Sequence, residues 1–172
     1  MNTLQTTIVE HPFFQTMRPA HLALLSENAH EAEFKADEVL FHEGEPANRF
    51  FLIQTGQVEL EWRSCGGGRV REDVVGPGEV LGWSWLFPPF SWHFTAEALE
   101  PTRVIVLDGG HLLVTCEKNP EFGYVLMKRI TQIVIHRLQN ARSVSGNNAQ
   151  IGSFERMNSQ GEQENQRRIG LS

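Results

Sequence analysis

Cysteine is scarce: the 172-residue chain holds two, Cys65 beside a run of three glycines and Cys116 in a separate segment. Their positions make neither a metal-ligand spacing nor a disulfide framework, so both read as free thiols. Long apolar runs are missing too. Nothing approaches the roughly 18 consecutive apolar residues of a membrane span, and residues 1–10 lack a basic segment followed by an apolar one, so a soluble cytoplasmic protein is expected. Basic residues are the minority: 15 Lys and Arg against 21 Asp and Glu give a net charge of −6. That balance provides no overall footprint for DNA or RNA. The seven histidines include no H-x-H pair of the kind a metal-dependent barrel enzyme uses, and no G-x-S-x-G elbow occurs. Gly66, Gly67 and Gly68 lack the following Lys-Ser/Thr of a phosphate loop and read as a hairpin turn. An enzyme is not expected, nor is a metal or a resident cofactor.

What is present suits a globular core, with 40% hydrophobic and 21% charged residues in one domain's length of chain. Between residues 11 and 34, Phe13, Phe14, Met17, Leu22, Leu24, Leu25 and Ala29 with an interrupting Pro19 predict two short helical pieces, an N-terminal cap. From about 35 to 108 short apolar runs alternate with Gly and Pro. Strands are expected at 39–42, 50–54, 57–63, 70–75 and 103–107, and their even spacing points to an antiparallel sandwich or barrel. Residues 57–62 alternate polar and apolar, so Val58, Leu60 and Trp62 should share one face.

A helix is well marked after that. Asn119 is a suitable N-cap, Pro120 suits the first helical position and Glu121 complements the dipole, so a helix is predicted from 120 to about 142. Its apolar residues cover more than half the circumference, against the ~100° stripe that docking on one domain requires. The excess predicts a surface for a protein partner or a homodimer, with Tyr124, Met127, Ile130, Thr131, Val134, Ile135 and Leu138 as its candidates. Residues 143–172 are rich in Ser, Asn, Gln and Gly and are expected to be a disordered polar tail. The organisation is then an extension over 1–11, a domain over 12–142 and the tail. The fold class is α+β: an antiparallel β-sandwich or jelly-roll barrel with an N-terminal helical cap and a long C-terminal helix.

Three blocks sharpen this: Phe41-His42-Glu43-Gly44-Glu45-Pro46-Ala47, Phe51-Leu52-Ile53-Gln54-Thr55-Gly56-Gln57-Val58-Glu59-Leu60, and Gly76-Pro77-Gly78-Glu79-Val80-Leu81-Gly82. In order and spacing they resemble the cyclic-nucleotide-binding domain family, the sensor fold of catabolite-activator-type regulators, kinase regulatory subunits and gated channels. The resemblance covers roughly 12–142. It implies a phosphate-binding cassette over 82–96, in which a Gly-Glu pair holds the ribose hydroxyl and an Arg neutralises the cyclic phosphate. Here Gly82 is kept, but Trp83 stands at the Glu position and the Arg position falls on Trp92 or His93. No Arg or Lys lies between Gly82 and Glu100. Two lost hydrogen bonds to charged partners, at ~1.5–3 kcal/mol each, correspond to roughly two to four decades of affinity. Conventional cyclic-nucleotide binding is therefore expected to be lost, unless Arg49 or Arg103 supplies a cation from elsewhere.

The degenerate cassette supplies the candidate pocket: Gly82, Trp83, Ser84, Trp85, Trp92, His93, Phe94 and Thr95. Trp83, Trp85, Phe87, Phe90, Trp92 and Phe94 place six aromatics in twelve positions. They read either as a docking surface or as filling for a vanished ligand's cavity. The family's transcription factors carry a helix-turn-helix after the long helix; residues 143–172 show no second amphipathic helix, so no nucleic-acid contact is expected. The expectation is a non-catalytic accessory or regulatory subunit acting through protein contacts. The resemblance alone adds that small domains of this look serve bacterial redox complexes such as NAD-reducing soluble hydrogenases. The competing reading is a sensor whose reshaped pocket binds a cyclic nucleotide or another nucleotide.

Overall fold

The computed structural model describes residues 3–139, apart from 16 and 27. The chain divides into two compact units, 1–131 and 132–172; of the second, residues 132–139 are described. Helix α1 (Thr3–Glu10), a single 3₁₀ turn (Pro12–Phe14) and α2 (Pro19–Ser26) precede the strands. These are β1 (Ala29–Phe34), β2 (Val39–Phe41), β3 (Arg49–Thr55), β4 (Val58–Arg63), β5 (Arg69–Val75), β6 (Val80–Leu81), β7 (Thr95–Ala98) and β8 (Thr102–Asp108). Helix α3 (Gly109–Lys118) follows, and α4 spans 120–139.

Two four-stranded antiparallel sheets result, ordered β1-β8-β3-β6 and β2-β7-β4-β5. The first has both faces covered, which is why its central strands read as unbroken apolar runs: Phe50 to Ile53 on β3 and Val104 to Leu107 on β8 are all buried. The second meets water on one face. There Val58 and Leu60 are buried and Trp62 is half-buried, while Glu59 and Glu61 pair across the strands with Arg71 and Arg69. The five expected strands are present within a residue or two at each end.

Other elements depart from expectation. The cap begins earlier, because α1 occupies the stretch read as an extension, and Ala29 belongs to an edge strand rather than a helix. Residues 29–34, AHEAEF, have helix-forming composition, but six register pairs with β8 override that weak preference. Strands β6 and β7, two and four residues long, are too short to show a period. Helix α3 begins on two glycines, which sequence reads as a break. Packing explains one of them: a Cβ on Gly109 would stand 2.6 Å from Trp85 Cγ, so the helix must start without a side chain there. Asp108 caps it, its carboxylate accepting from His111 N at 2.6 Å.

Asn119 caps α4 as expected, Oδ1 accepting from Phe122 N at 3.1 Å. Phe122, Leu126 and Ile130, four residues apart, form its buried face. Ile130 is 2% exposed and so does not belong to an outward surface. Arg129 ties α4 to the cap, donating to the carbonyls of Phe13 and Gln15. The expected helix end at 142 and the expected disordered tail lie outside the described residues.

Candidate functional site

The site is built on β3, whose alternation sends Arg49 and Phe51 into the sandwich and Phe50 to the opposite face. Phe51 meets Phe41 of β2, with ring centroids 5.6 Å apart, and Trp92 at 6.4 Å. Trp92 is 3% exposed and stacks on Phe41 at 4.0 Å, with 20° between the planes. Gly82, with φ +85°, lies against this group. A Cβ there would approach Arg49 O at 2.9 Å, Phe51 Cδ2 at 3.1 Å and Trp92 Cζ3 at 3.2 Å. Both the backbone conformation and the space therefore require glycine.

The cassette residues do not form one pocket. Gly82 and Trp92 come together with Phe41 and Phe51. Trp85 does not join them: it sits on the other side of β3, 2% exposed, edge-on to Phe50 at 6.2 Å and beneath the start of α3. The reason is the 3₁₀ turn Ser84–Leu86, which carries Trp85 over the sheet edge. Ser84 Oγ and His93 Nδ1 are 3.0 Å apart, and the His93 side chain is exposed. Thr95 Oγ1 accepts from Glu43 N at 3.1 Å. Trp83 and Phe94 are half-buried. Phe87 and Phe90, on either side of the cis Pro88–Pro89 bond, are exposed. The aromatic segment thus divides into two buried tryptophans, two exposed phenylalanines and the half-buried Trp83 and Phe94.

Of the two alternative cations, Arg103 faces away, paired with Glu33 at 3.3 Å across β1 and β8. Arg49 is half-buried on the inner face, its guanidinium 5.6 Å from the Phe51 ring centroid. Sequence reasoning missed Phe41 and Phe51 as lining residues. The signal was available: alternation along 49–53 puts 49 and 51 on one face.

Among the described residues no group of three or more His, Cys, Asp or Glu is placed to hold a metal ion. Nor is any helix among them long and apolar enough to cross a membrane.

Comparison with known proteins bears on this geometry directly. The family model for the cyclic nucleotide-binding domain matches residues 31–119, from within β1 to the cap of α4. The chain belongs to the cyclic nucleotide-binding domain family. A solved structure from Geobacter metallireducens described as a cyclic nucleotide-binding protein shares 30% identity with it at a TM-score of 0.69, covering 80% of this chain and 99% of the other. The regulatory subunit of a cAMP-independent protein kinase A from Trypanosoma brucei shares the fold at 18% identity and a TM-score of 0.64, over 76% of this chain and 46% of that one. Among curated proteins, the CRP-like cAMP-activated global transcriptional regulator of Mycobacterium tuberculosis is 25% identical over 115 residues. That match takes in 67% of this chain, which spans about half (51%) of the regulator's length. The domain has its family's two antiparallel sheets and flanking helices, and a tryptophan packed into the face beside the cassette glycine.

Proposed function

We propose that this cyclic nucleotide-binding domain is a non-catalytic regulatory module that no longer recognises cyclic nucleotides and acts through protein contacts. The observation that carries the reading is the Trp92 ring, stacked on Phe41 and against Gly82. An indole there takes volume from the cassette side of the sandwich, and neither Trp92 nor Trp83 offers a charged group to a phosphate or a ribose. The Trypanosoma kinase subunit is by its own description cAMP-independent, so the fold accommodates such regulators.

Helix α4 supplies the contact surface. Tyr124 is 68% exposed and Leu138 54% exposed, and Met127, Thr131, Val134 and Ile135 are exposed too. Positions 124, 127 and 131 of the first unit follow the alternating three-four spacing of a coiled-coil seam, and the sequence repeats that spacing at 134 and 138, which suits a second helix from a copy of this chain or from a partner. A redox complex of the hydrogenase kind is the partner context that family resemblance offers.

Calorimetric titration of the purified, ligand-stripped chain with cyclic AMP and cyclic GMP tests the reading. The expected result is no saturable binding up to millimolar nucleotide. Micromolar binding of either would overturn it and favour a sensor with a reshaped pocket.

A further inference from the structure

Arg49 carries a charge that the surrounding protein does not neutralise. It lies on the inner face of β3, half-buried, and makes one long hydrogen bond, from Nη2 to Leu40 O at 3.4 Å. A guanidinium has five N–H donors, and its contact with the Phe51 ring uses none of them. Among the described residues no carboxylate pairs with Arg49, whereas Arg18, Arg69, Arg71 and Arg103 each have at least one. The acidic side chains on the turn between β2 and β3 are engaged elsewhere. Glu43 accepts from Arg63 N at 3.1 Å and Glu45 from His42 N at 3.2 Å.

Withdrawing a cation from water without a counter-charge is unfavourable, so such a group is a natural point for an anion to bind. The planar fork favours an oxyanion over a spherical ion. We propose that Arg49 anchors a site for a small phosphate-class oxyanion, free or carried on a small organic monoester, at the mouth of the pocket that Trp92 fills. With the Trp92 ring stacked on Phe41 and against Gly82, the proposed ligand is smaller than a nucleotide. The size limit rests on the loss of cyclic-nucleotide binding proposed above, whereas the anion contact at Arg49 does not.

Thermal denaturation of the full chain in sodium phosphate, against sodium chloride at matched ionic strength, tests the proposal, with ³¹P NMR line width as a second readout. A saturable rise in Tm is expected. Arg49→Met should weaken the apparent Kd by at least about tenfold, the loss of one charged hydrogen bond, and Arg103→Met should leave it unchanged. Arg49→Lys keeps the charge without the fork and should fall between, which serves if the Met variant is poorly folded. Competition by glycerol phosphate would extend the site to organic monoesters; its absence would assign the site to the free anion. An absent phosphate response, or one equal in the wild type and both Arg49 variants, would overturn the site. Micromolar competition by cyclic AMP would instead sink the loss of nucleotide recognition while leaving an Arg49-dependent anion site in place.

Discussion

The edge of the Trp92 ring lies 3.2 Å from the point where a side chain at Gly82 would begin, so the two residues are fitted to each other. Trp92→Ala should therefore leave a cavity lined by Phe41 and Phe51 and cost about 3–5 kcal/mol of stability. Gly82→Ala must hold a side chain at φ +85° and also displace Phe51 or Trp92, at about 1–3 kcal/mol. Urea unfolding followed by circular dichroism reads both. A loss below about 1 kcal/mol for Trp92→Ala would mean that the ring is not packed as described.

Gly109 gives a reversal of the usual helix rule. In an open helix Gly→Ala is stabilising by up to about 1 kcal/mol. Here the added methyl meets Trp85 Cγ at 2.6 Å and Cβ at 2.9 Å, so Gly109→Ala should destabilise by about 1–3 kcal/mol. In a Trp85→Ala background, which removes Cγ and Cδ1 and keeps only Cβ, the same change should cost less. Additive effects in that double-mutant cycle would contradict the contact.

How much of this was legible in the sequence follows from which faces were wet. Residues 57–62 alternate because one side of β4 meets water, and Asn119-Pro120-Glu121 marks a helix start by local chemistry alone. Strand β1 was hidden because AHEAEF acquires its conformation from β8, and α3 because its first glycine, Gly109, answers to Trp85 rather than to helix propensity. The cassette's anomaly was legible as a missing Arg and Glu. Its division was not, since only the 3₁₀ turn Ser84–Leu86 decides that Trp85 and Trp92 lie on opposite sides of β3. Ile130 was misplaced because a helix that is apolar over more than half its circumference does not reveal which stripe its own domain covers.

His11 makes stability depend on pH. Its ring is buried, with Nδ1 accepting from Phe13 N and Nε2 facing Ile53 O, both at 3.3 Å, an arrangement that fits the neutral ring with its proton on Nε2. Burial lowers its pKa from the ordinary 6.5, and the Ile53 bond opposes this less strongly. The unfolded chain therefore takes up the proton first. The contribution is complete above about pH 6.5, falls as pH drops toward the folded value, and is constant below it. The urea midpoint between pH 7.5 and 5 should fall more steeply in the wild type than in His11→Gln. Parallel curves would exclude the linkage.

The two cysteines should differ sharply in reactivity. Cys65 is exposed on the glycine hairpin, whereas burial, and secondarily Glu117, pushes the Cys116 thiol up to about 11. Only the thiolate alkylates, and a pKa near 11 leaves roughly one part in a thousand ionised at pH 8. Iodoacetamide at that pH should label Cys65 first and Cys116 only after unfolding, as peptide mass spectrometry would reveal. Equal labelling rates in the folded protein would refute the difference.

The apolar seam on α4 predicts association that charge should abolish. Met127 and Leu138 are exposed, and neither belongs to the buried face formed by Phe122, Leu126 and Ile130. Glutamate at either position places a charge on the apolar seam while leaving that buried face intact, so folding should be kept and assembly lost. Sedimentation velocity of the wild type at tens of micromolar should show a dimer, and Met127→Glu and Leu138→Glu should sediment as monomers with Tm within a few degrees of one another. A wild-type monomer at every concentration would remove self-association and leave a foreign helix as the occupant, in which case the same two variants should lose whatever partner the wild type captures. Wild-type dimers that survive both substitutions would place the interface elsewhere on the domain.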